Sequence, residues 1–461
     1  MTSPADKFTE KSTVVAENLD HRARIRDAMK KYEGTRGDGV QRFNDWEAAR
    51  DSASRIKGNV IGRLNHYLEQ FVDRIEARGA RVHWAEDSAE ARRHVLDILG
   101  RAGARRVIKS KVMTGEEISI NHALEKAGYE VVESDLGEFI VQLRREDPYH
   151  FVFPAMHLSR GEIGDLFTKE LNTPHSSEPE ELTMVARREL RKRFMEADAG
   201  ICGANFAVAE TGMISITENE GNARLTCAMP RIQIALVGIE KVIPRLEDLA
   251  LFLPMLATSG TGQALTCYNS LYGGPRLQDE VDGPEEFHIV LLDNRRTAVL
   301  ADEEQRDSLH CIRCGACLNV CPIYRNIGGH SYGATYQGPI GSVLTPYFKG
   351  LRAWSHLAHA SSLCGACTEI CPVKIDLHHH LLQTRRNAVS VQPARKARWP
   401  YACFAFMMNR PRIYGFAVRV MRRLQHWPVV SGRKLLRPWT KSRELPEIAP
   451  RSFRDWWKER G

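Results

Sequence analysis

"CIRCGACLNVCPIYRN" fills residues 311–326, and "SSLCGACTEICPVKID" fills residues 361–376. Laid over one another at a constant offset of 50 residues, Cys314, Cys317 and Cys321 fall on Cys364, Cys367 and Cys371, and Cys311 falls on Ser361. The first stretch is C-x2-C-x2-C-x3-C-P. In this spacing three thiolates wrap one face of an iron–sulfur cluster, while the fourth is turned away to serve a second cluster. Thiolates are the soft donors that such clusters need. Structural zinc uses paired cysteines without a third one two residues on. The two halves therefore predict two iron–sulfur clusters, of the 4Fe-4S type, with crossed ligands. Cys311, Cys314, Cys317 and Cys371 are expected to hold cluster 1, and Cys321, Cys364 and Cys367 cluster 2.

Cluster 2 is then one thiolate short. Three answers are open: Ser361 or a water is a weak fourth ligand, the cluster is of the 3Fe-4S type, or a distant cysteine such as Cys403 comes in. Between Cys321 and Cys364 lie 42 residues, more than in a small bacterial ferredoxin. Part of that gap, "SVLTPYFKGLRAWSHLAHA", reads as helical, which points to an α-helical ferredoxin domain. The neighbouring His378, His379 and His380 are expected to face solvent or a partner, since adjacent helix positions point in different directions.

Working outward, the 461-residue chain is long enough for two or three domains, and its 43% apolar and 26% charged residues fit a globular protein. The first residues lack an apolar signal segment and no run of eighteen apolar residues occurs, so a cytoplasmic location is expected. Seven of the eleven cysteines sit in the two stretches, which favours metal ligation over disulfides. Cys202, Cys227 and Cys267 lie apart and read as core filling.

Upstream, residues 1–74 have helical periodicity. From 75 to 300 short apolar strands alternate with helices that end near glycine: "ARVHWA" (80–85), "RRVIKS" (105–110), "YEVVES" (129–134), then, after a polar helical stretch (160–199), "FAVAETGMISITEN" (206–219) with a Gly-centred hairpin, "IQIALVGIEKVI" (232–243) and "FHIVLLDN" (287–294). This alternation predicts one α/β domain around a parallel sheet. Residues 301–380 form the cysteine module. Residues 381–461 carry 19 Lys/Arg against 4 Asp/Glu, a surplus of 15 that exceeds the +8 of the whole chain, so the remainder is acidic. This basic, Trp-rich tail is expected to dock an acidic partner, with peripheral membrane contact as the alternative. No nucleic-acid-binding module is recognisable.

Clusters pass electrons singly, whereas two-electron chemistry on a substrate normally needs a flavin or nicotinamide. "GTGQAL" (260–265) and "GTRGDG" (34–39) both lack the context of a dinucleotide fingerprint, and no P-loop or G-x-S-x-G occurs. An electron relay is therefore expected, rather than a catalytic subunit; no catalytic residue is assigned. A polar turn, "AETGMISITENEGNARLTCAMP" (209–230), gathers Glu210, Glu218, Asn219, Glu220, Asn222 and Arg224 and is a candidate site for an anionic ligand.

"KSKVMTGEEISINHALEKAGYEVVESDLGEFIVQL" (109–143), "AETGMISITENEGNAR" (209–224) and the two cysteine stretches together resemble the iron–sulfur B subunit family of the LutABC lactate-utilisation system. The resemblance covers nearly the whole chain. It implies an LUD α/β domain of the CoA-transferase and sugar-phosphate-isomerase type, a helical ferredoxin domain and a LutB-type C-terminal segment. It also implies LutA-like and LutC-like partner subunits, electron transfer in the oxidation of L-lactate to pyruvate, and serine as the usual residue at the position of Ser361. Alternatives are the iron–sulfur subunit of another 2-hydroxy-acid (glycolate-type) dehydrogenase, or an LUD enzyme for acyl or phosphorylated ligands with redox-sensing clusters.

Overall fold

Four helices open the chain: Pro4–Glu17, Leu19–Val40, Trp46–Gly62 and Leu64–Glu76. Ser3, Asn18 and Asp45 start the first three by accepting main-chain N–H groups, Ser3 in a reciprocal capping box with Asp6. The fourth buries one face at helical spacing, through Leu64, Leu68, Phe71 and Ile75. In the computed structural model residues 2–391, 395–425 and 448–460 are described, and the chain divides into two units, Met1–Val391 and Gln392–Gly461.

Among the described residues ten strands follow the opening helices: β1 (Arg81–Ala85), β2 (Arg106–Lys109), β3 (Glu130–Glu133), β4 (Ala199–Gly203), β5 (Phe206–Val208), β6 (Met213–Glu218), β7 (Ile232–Gly238), β8 (Val242–Ile243), β9 (Tyr268–Tyr272) and β10 (Glu286–Leu292). Six make a parallel sheet in the order β1-β10-β7-β4-β2-β3, and four make a second sheet in the order β8-β5-β6-β9. All seven residues of β7 are buried, as expected of a central parallel strand covered on both faces. Between β5 and β6 the hairpin turns at Gly212 (φ 69°), where a Cβ would stand 2.5 Å from the Ile75 nitrogen.

Residues 232–243, expected as one strand, split in two. The chain leaves the parallel sheet at Gly238, where a Cβ would meet the Glu240 carboxylate at 2.3 Å, and re-enters the second sheet as β8. The stretch 160–199, expected as helical, forms two helices, Arg160–Leu171 and Pro179–Glu196, and gives way to β4, which lies inside the parallel sheet. The edge strand β9 was not expected; its side chains are mostly exposed. "GTRGDG" lies inside the helix Leu19–Val40 and "GTGQAL" at the end of the helix Leu249–Thr261. Neither is a phosphate loop.

One apolar core runs through the opening helices (Ile25, Phe71), the second sheet (Phe206, Ile214), the helix Leu249–Thr261 (Phe252) and the cysteine region (Leu309, Leu318, Leu344, Leu381). The helical opening, the α/β part and the cysteine region thus bury one another. Two smaller cores cover the parallel sheet, around Val95, Leu99 and Leu124, and around Phe139, Phe167 and Phe194.

The second unit contains the helices Arg395–Met408, Pro411–Leu424 and Phe453–Lys458. Pro411 sits in the first turn of its helix, where no N–H is needed. Of the aromatic- and arginine-rich stretch 401–430, residues 426–430 lie outside the described residues, as do 431–447. Among the described residues no helix is long and apolar enough to cross a membrane.

Candidate functional site

The sequence repeat is a repeat of backbone geometry. Arg313 and Leu363 precede the second motif position with φ of 60° and 57°, and Gly315 and Gly365 follow it with φ of 80° and 83°. Each glycine opens one short helical turn, Ala316–Asn319 and Ala366–Glu369, closed by main-chain bonds between equivalent residues: Leu318 and Thr368 both donate to the glycine carbonyl, and Cys321 and Cys371 both donate three residues back. The correspondence reaches the odd position. The Arg313 N–H donates to Cys311 Sγ at 3.4 Å, and the Leu363 N–H donates to Ser361 Oγ at 3.1 Å. Ser361 Oγ therefore takes the place of a sulfur in an otherwise unchanged loop.

The fold brings the cysteines into two sets. Cys311, Cys314, Cys317 and Cys371 line one small apolar pocket with Phe151, Ile340 and Val373. Cys321, Cys364 and Cys367 lie outside that pocket: after burial, Cys321 and Cys364 raise the pKa of Cys367, and Cys364 that of Cys321, while Cys367 also acts on Cys317 of the pocket. Burial is the first cause of raised thiol pKa values in both sets, pushing Cys371 to about 12 and Cys367 to about 11. Main-chain N–H groups work against burial: Ala316 on Cys314, Ile340 on Cys317, Ile323 and Tyr324 on Cys321, and Val373 and Ile375 on Cys371. Buried thiols surrounded by N–H donors suit a thiolate-bound cluster, whose iron displaces the thiol protons and whose sulfurs accept those hydrogen bonds.

Several supporting residues lie far away in sequence and carried no local signal. Arg50 of the opening helices donates to the carbonyls of Cys371 (2.9 Å) and Glu369 (2.7 Å). His150, in the loop "YHFVF" (149–153), accepts the N–H of Val152 at Nδ1 and so donates from Nε2 to Asn319 (2.9 Å). Burial holds its pKa down at about 3, so this ring is a neutral strut. Glu240 anchors the first half to the α/β part: it pairs with Arg296 and with Arg313 (3.2 Å), while Arg296 also pairs with Glu117 (2.9 Å). Burial alone would raise the Glu240 pKa, but Arg296 and Arg313 hold it at about 2.

Beside the four-cysteine pocket lies a cleft of about 360 Å³ at the carboxyl ends of β2 and β4, where α/β sheets usually bind ligands. Cys314 and Phe151 line both spaces. Of the six residues expected at an anion site, Glu218, Asn219, Glu220 and Asn222 line the cleft, whereas Glu210 and Arg224 do not. Glu210 instead accepts the Leu246 N–H (2.9 Å), and the Arg224 guanidinium stacks on Tyr268. Lys111, Lys241 and Arg313 line the cleft and were not foreseen.

Cys202 and Cys227 are buried as expected, but Cys267 is exposed, on the loop leading to the edge strand β9. Cys403 is exposed, in the second unit. The three histidines do not all face outward: His379 is exposed, but His378 bonds Thr368 (2.7 Å), and His380 is buried with its ring 2.5 Å from Asp307.

A thiol-rich module packed on a parallel α/β domain defines an iron–sulfur protein, and comparison with known proteins bears this out. Residues 68–292 match the LUD domain, 307–375 a 4Fe-4S dicluster domain, and 390–461 the C-terminal domain of lactate utilisation protein B. The chain belongs to the lactate utilization protein B family: it is 42% identical to that protein of Shouchella clausii, across 95% of this chain and 94% of the relative. It is 40% identical to that of Bacillus subtilis, across 99% and 96%. Among solved structures, a DUF162 family protein from Deinococcus radiodurans aligns over 50% of this chain and 98% of its own, at 19% identity and a TM-score of 0.28.

Proposed function

We propose that the chain is the electron-transfer subunit of a cytoplasmic complex that oxidises L-lactate to pyruvate, working beside LutA-like and LutC-like subunits. The observation that carries this reading is the pairing of the two cysteine sets, one enclosed against the α/β part and one with Cys364 exposed. The names of the relatives supply the lactate assignment.

In this reading Cys311, Cys314, Cys317 and Cys371 hold a 4Fe-4S cluster 1. Cys321, Cys364 and Cys367 hold cluster 2, with Ser361 in the place of its fourth ligand. Such clusters, when bound, supply one-electron steps. The chain's own part is to bury the first set among apolar side chains, to aim N–H groups at the sulfurs, and to leave Cys364 within reach of a partner. Lactate oxidation releases two electrons, so the substrate step itself falls to a partner subunit with a two-electron carrier.

The purified chain is expected to oxidise no lactate with an artificial dye, and to support dye reduction once its partner subunits are added. Turnover by the chain alone would overturn the relay reading.

A further inference from the structure

The charges around the cleft are unevenly committed. Its three carboxylates are all occupied by main-chain N–H groups. Glu218 accepts those of Ala223 (2.6 Å) and Arg224 (2.8 Å), Glu220 that of Leu136 (3.0 Å), and Asp135 that of Glu138 (3.0 Å). Among its cations, Lys111 donates to the Val152 carbonyl (2.6 Å). The other two keep donors in reserve. Lys241 is 9% exposed and makes no hydrogen bond or ion pair among the described residues. Arg313, also 9% exposed, spends Nη2 on Glu240, while its Nε and Nη1 are buried without a partner.

Buried donors without acceptors are costly, and an ammonium or guanidinium all the more so. Arg313 is already favoured by the neighbouring Cys311 sulfur, and an anion in the cleft would give both cations a further acceptor. A guanidinium beside an ammonium suits a carboxylate, and a volume of about 360 Å³ suits a small molecule. Asn222 and Thr217 line the same space and can meet a hydroxyl or carbonyl next to the carboxylate.

We propose that this cleft binds a small organic carboxylate, of the 2-hydroxy- or 2-oxo-acid class, through Lys241 and Arg313 and directly beside the Cys314 wall of the first cysteine set. The acid class rests on the lactate reading above; the anion site rests on the geometry alone. A bound anion next to cluster 1 opposes the arrival of an electron there, and by reciprocity reduction weakens anion binding. A tenfold weakening corresponds to a fall of about 59 mV in the midpoint potential.

The test is calorimetric titration of anaerobically purified, iron-loaded protein with L-lactate, pyruvate, lactamide and inorganic phosphate. L-Lactate or pyruvate should bind at one site per chain, and uncharged lactamide should not. Lys241→Met should weaken carboxylate binding at least tenfold at unchanged iron content, and Lys241→Arg should restore it. Should Lys241→Met fail to fold, an EPR-monitored redox titration of the unaltered protein decides instead, pyruvate being expected to lower the potential of one cluster only. Lactamide binding as tightly as lactate, unchanged affinity in Lys241→Met, or no effect of pyruvate on either potential would each overturn the proposal. Tighter binding of phosphate than of either carboxylate would overturn the carboxylate assignment. Failure of all binding, with lactate turnover intact in the presence of the partner subunits, would reject the site and leave the relay reading standing.

Discussion

The two cysteine halves share a backbone and differ in what covers their second cysteine and the glycine after it. In the first, Cys314 and Cys317 are buried, the loop 149–153 covers Gly315, and Arg313 is tied to Glu240. In the second, Cys364 is exposed and a Cβ on Gly365 would meet nothing within 4 Å. A duplicated loop thus supplies one thiol set that lines a pocket beside the α/β cleft and a second in which Cys321 and Cys367 are buried and only Cys364 is exposed. The fold of each loop is encoded locally, by positive-φ positions and short helical turns. What distinguishes them is everything else that packs on them.

Substitutions that act on one half and spare the other test this contrast. The largest effect is expected from Arg296→Met, which strands Glu117 and Glu240 without their shared guanidinium. Loss of a buried pair costs about 3–5 kcal/mol, and denaturant unfolding of the iron-loaded protein measures it. The same seam sets an acid limit. Glu240 has its pKa lowered to about 2 in the fold, so its contribution is complete above its unfolded value of about 4.5 and is lost as pH falls from there towards 2. That contribution is about 3 kcal/mol, and Glu240→Gln should flatten the decline of stability over this range.

The second half has its own clamp. Arg50→Met removes two hydrogen bonds from the guanidinium to the Cys371 and Glu369 carbonyls and should accelerate iron loss during dialysis against a chelator. Unchanged iron retention would show that the clamp is idle.

Glycine replacement compares the halves directly. Both Gly315→Ala and Gly365→Ala carry the left-handed strain of about 1–2 kcal/mol. Only the first also drives a methyl into Val152 (2.8 Å) and His150 (3.1 Å), adding about 1–3 kcal/mol of overpacking. Equal melting shifts for the two variants would contradict the difference in surroundings. The smallest change in global stability is expected for Ser361→Cys. It places a thiol where the hydroxyl now accepts the Leu363 N–H, and should make the second cluster resist air oxidation for longer in an EPR time course.

How much of this was legible in the sequence follows from the same contrast. The constant 50-residue offset exposed the two loops, because each is specified by consecutive residues. The strands around 80–85, 105–110, 129–134 and 287–294 were readable as short apolar runs between glycine-ended helices. Strand β4, "AGICG", was not, since five residues with two glycines and a single large apolar side chain have neither period. Gly238 gave no warning that it would break 232–243, because the carboxylate that packs over it belongs to a turn that only the fold creates. The cleft was least visible of all. Lys241 reads as part of a strand and Arg313 as a spacer between two cysteines, and they meet only when the α/β part and the first half pack together. Glu210 and Arg224, close to Asn222 in sequence, are directed elsewhere by the Leu246 N–H and the Tyr268 ring.

The crossed pairing of the two halves is tested most directly by EPR and iron analysis of Cys371→Ala, set beside Cys314→Ala and Cys364→Ala. Cys371 belongs to the second half by sequence and to the enclosed set by geometry. The expected result is that the unaltered protein holds about seven to eight irons, and that Cys371→Ala loses the same signal as Cys314→Ala while keeping the one lost in Cys364→Ala. A Cys371→Ala spectrum matching that of Cys364→Ala would contradict the crossed arrangement.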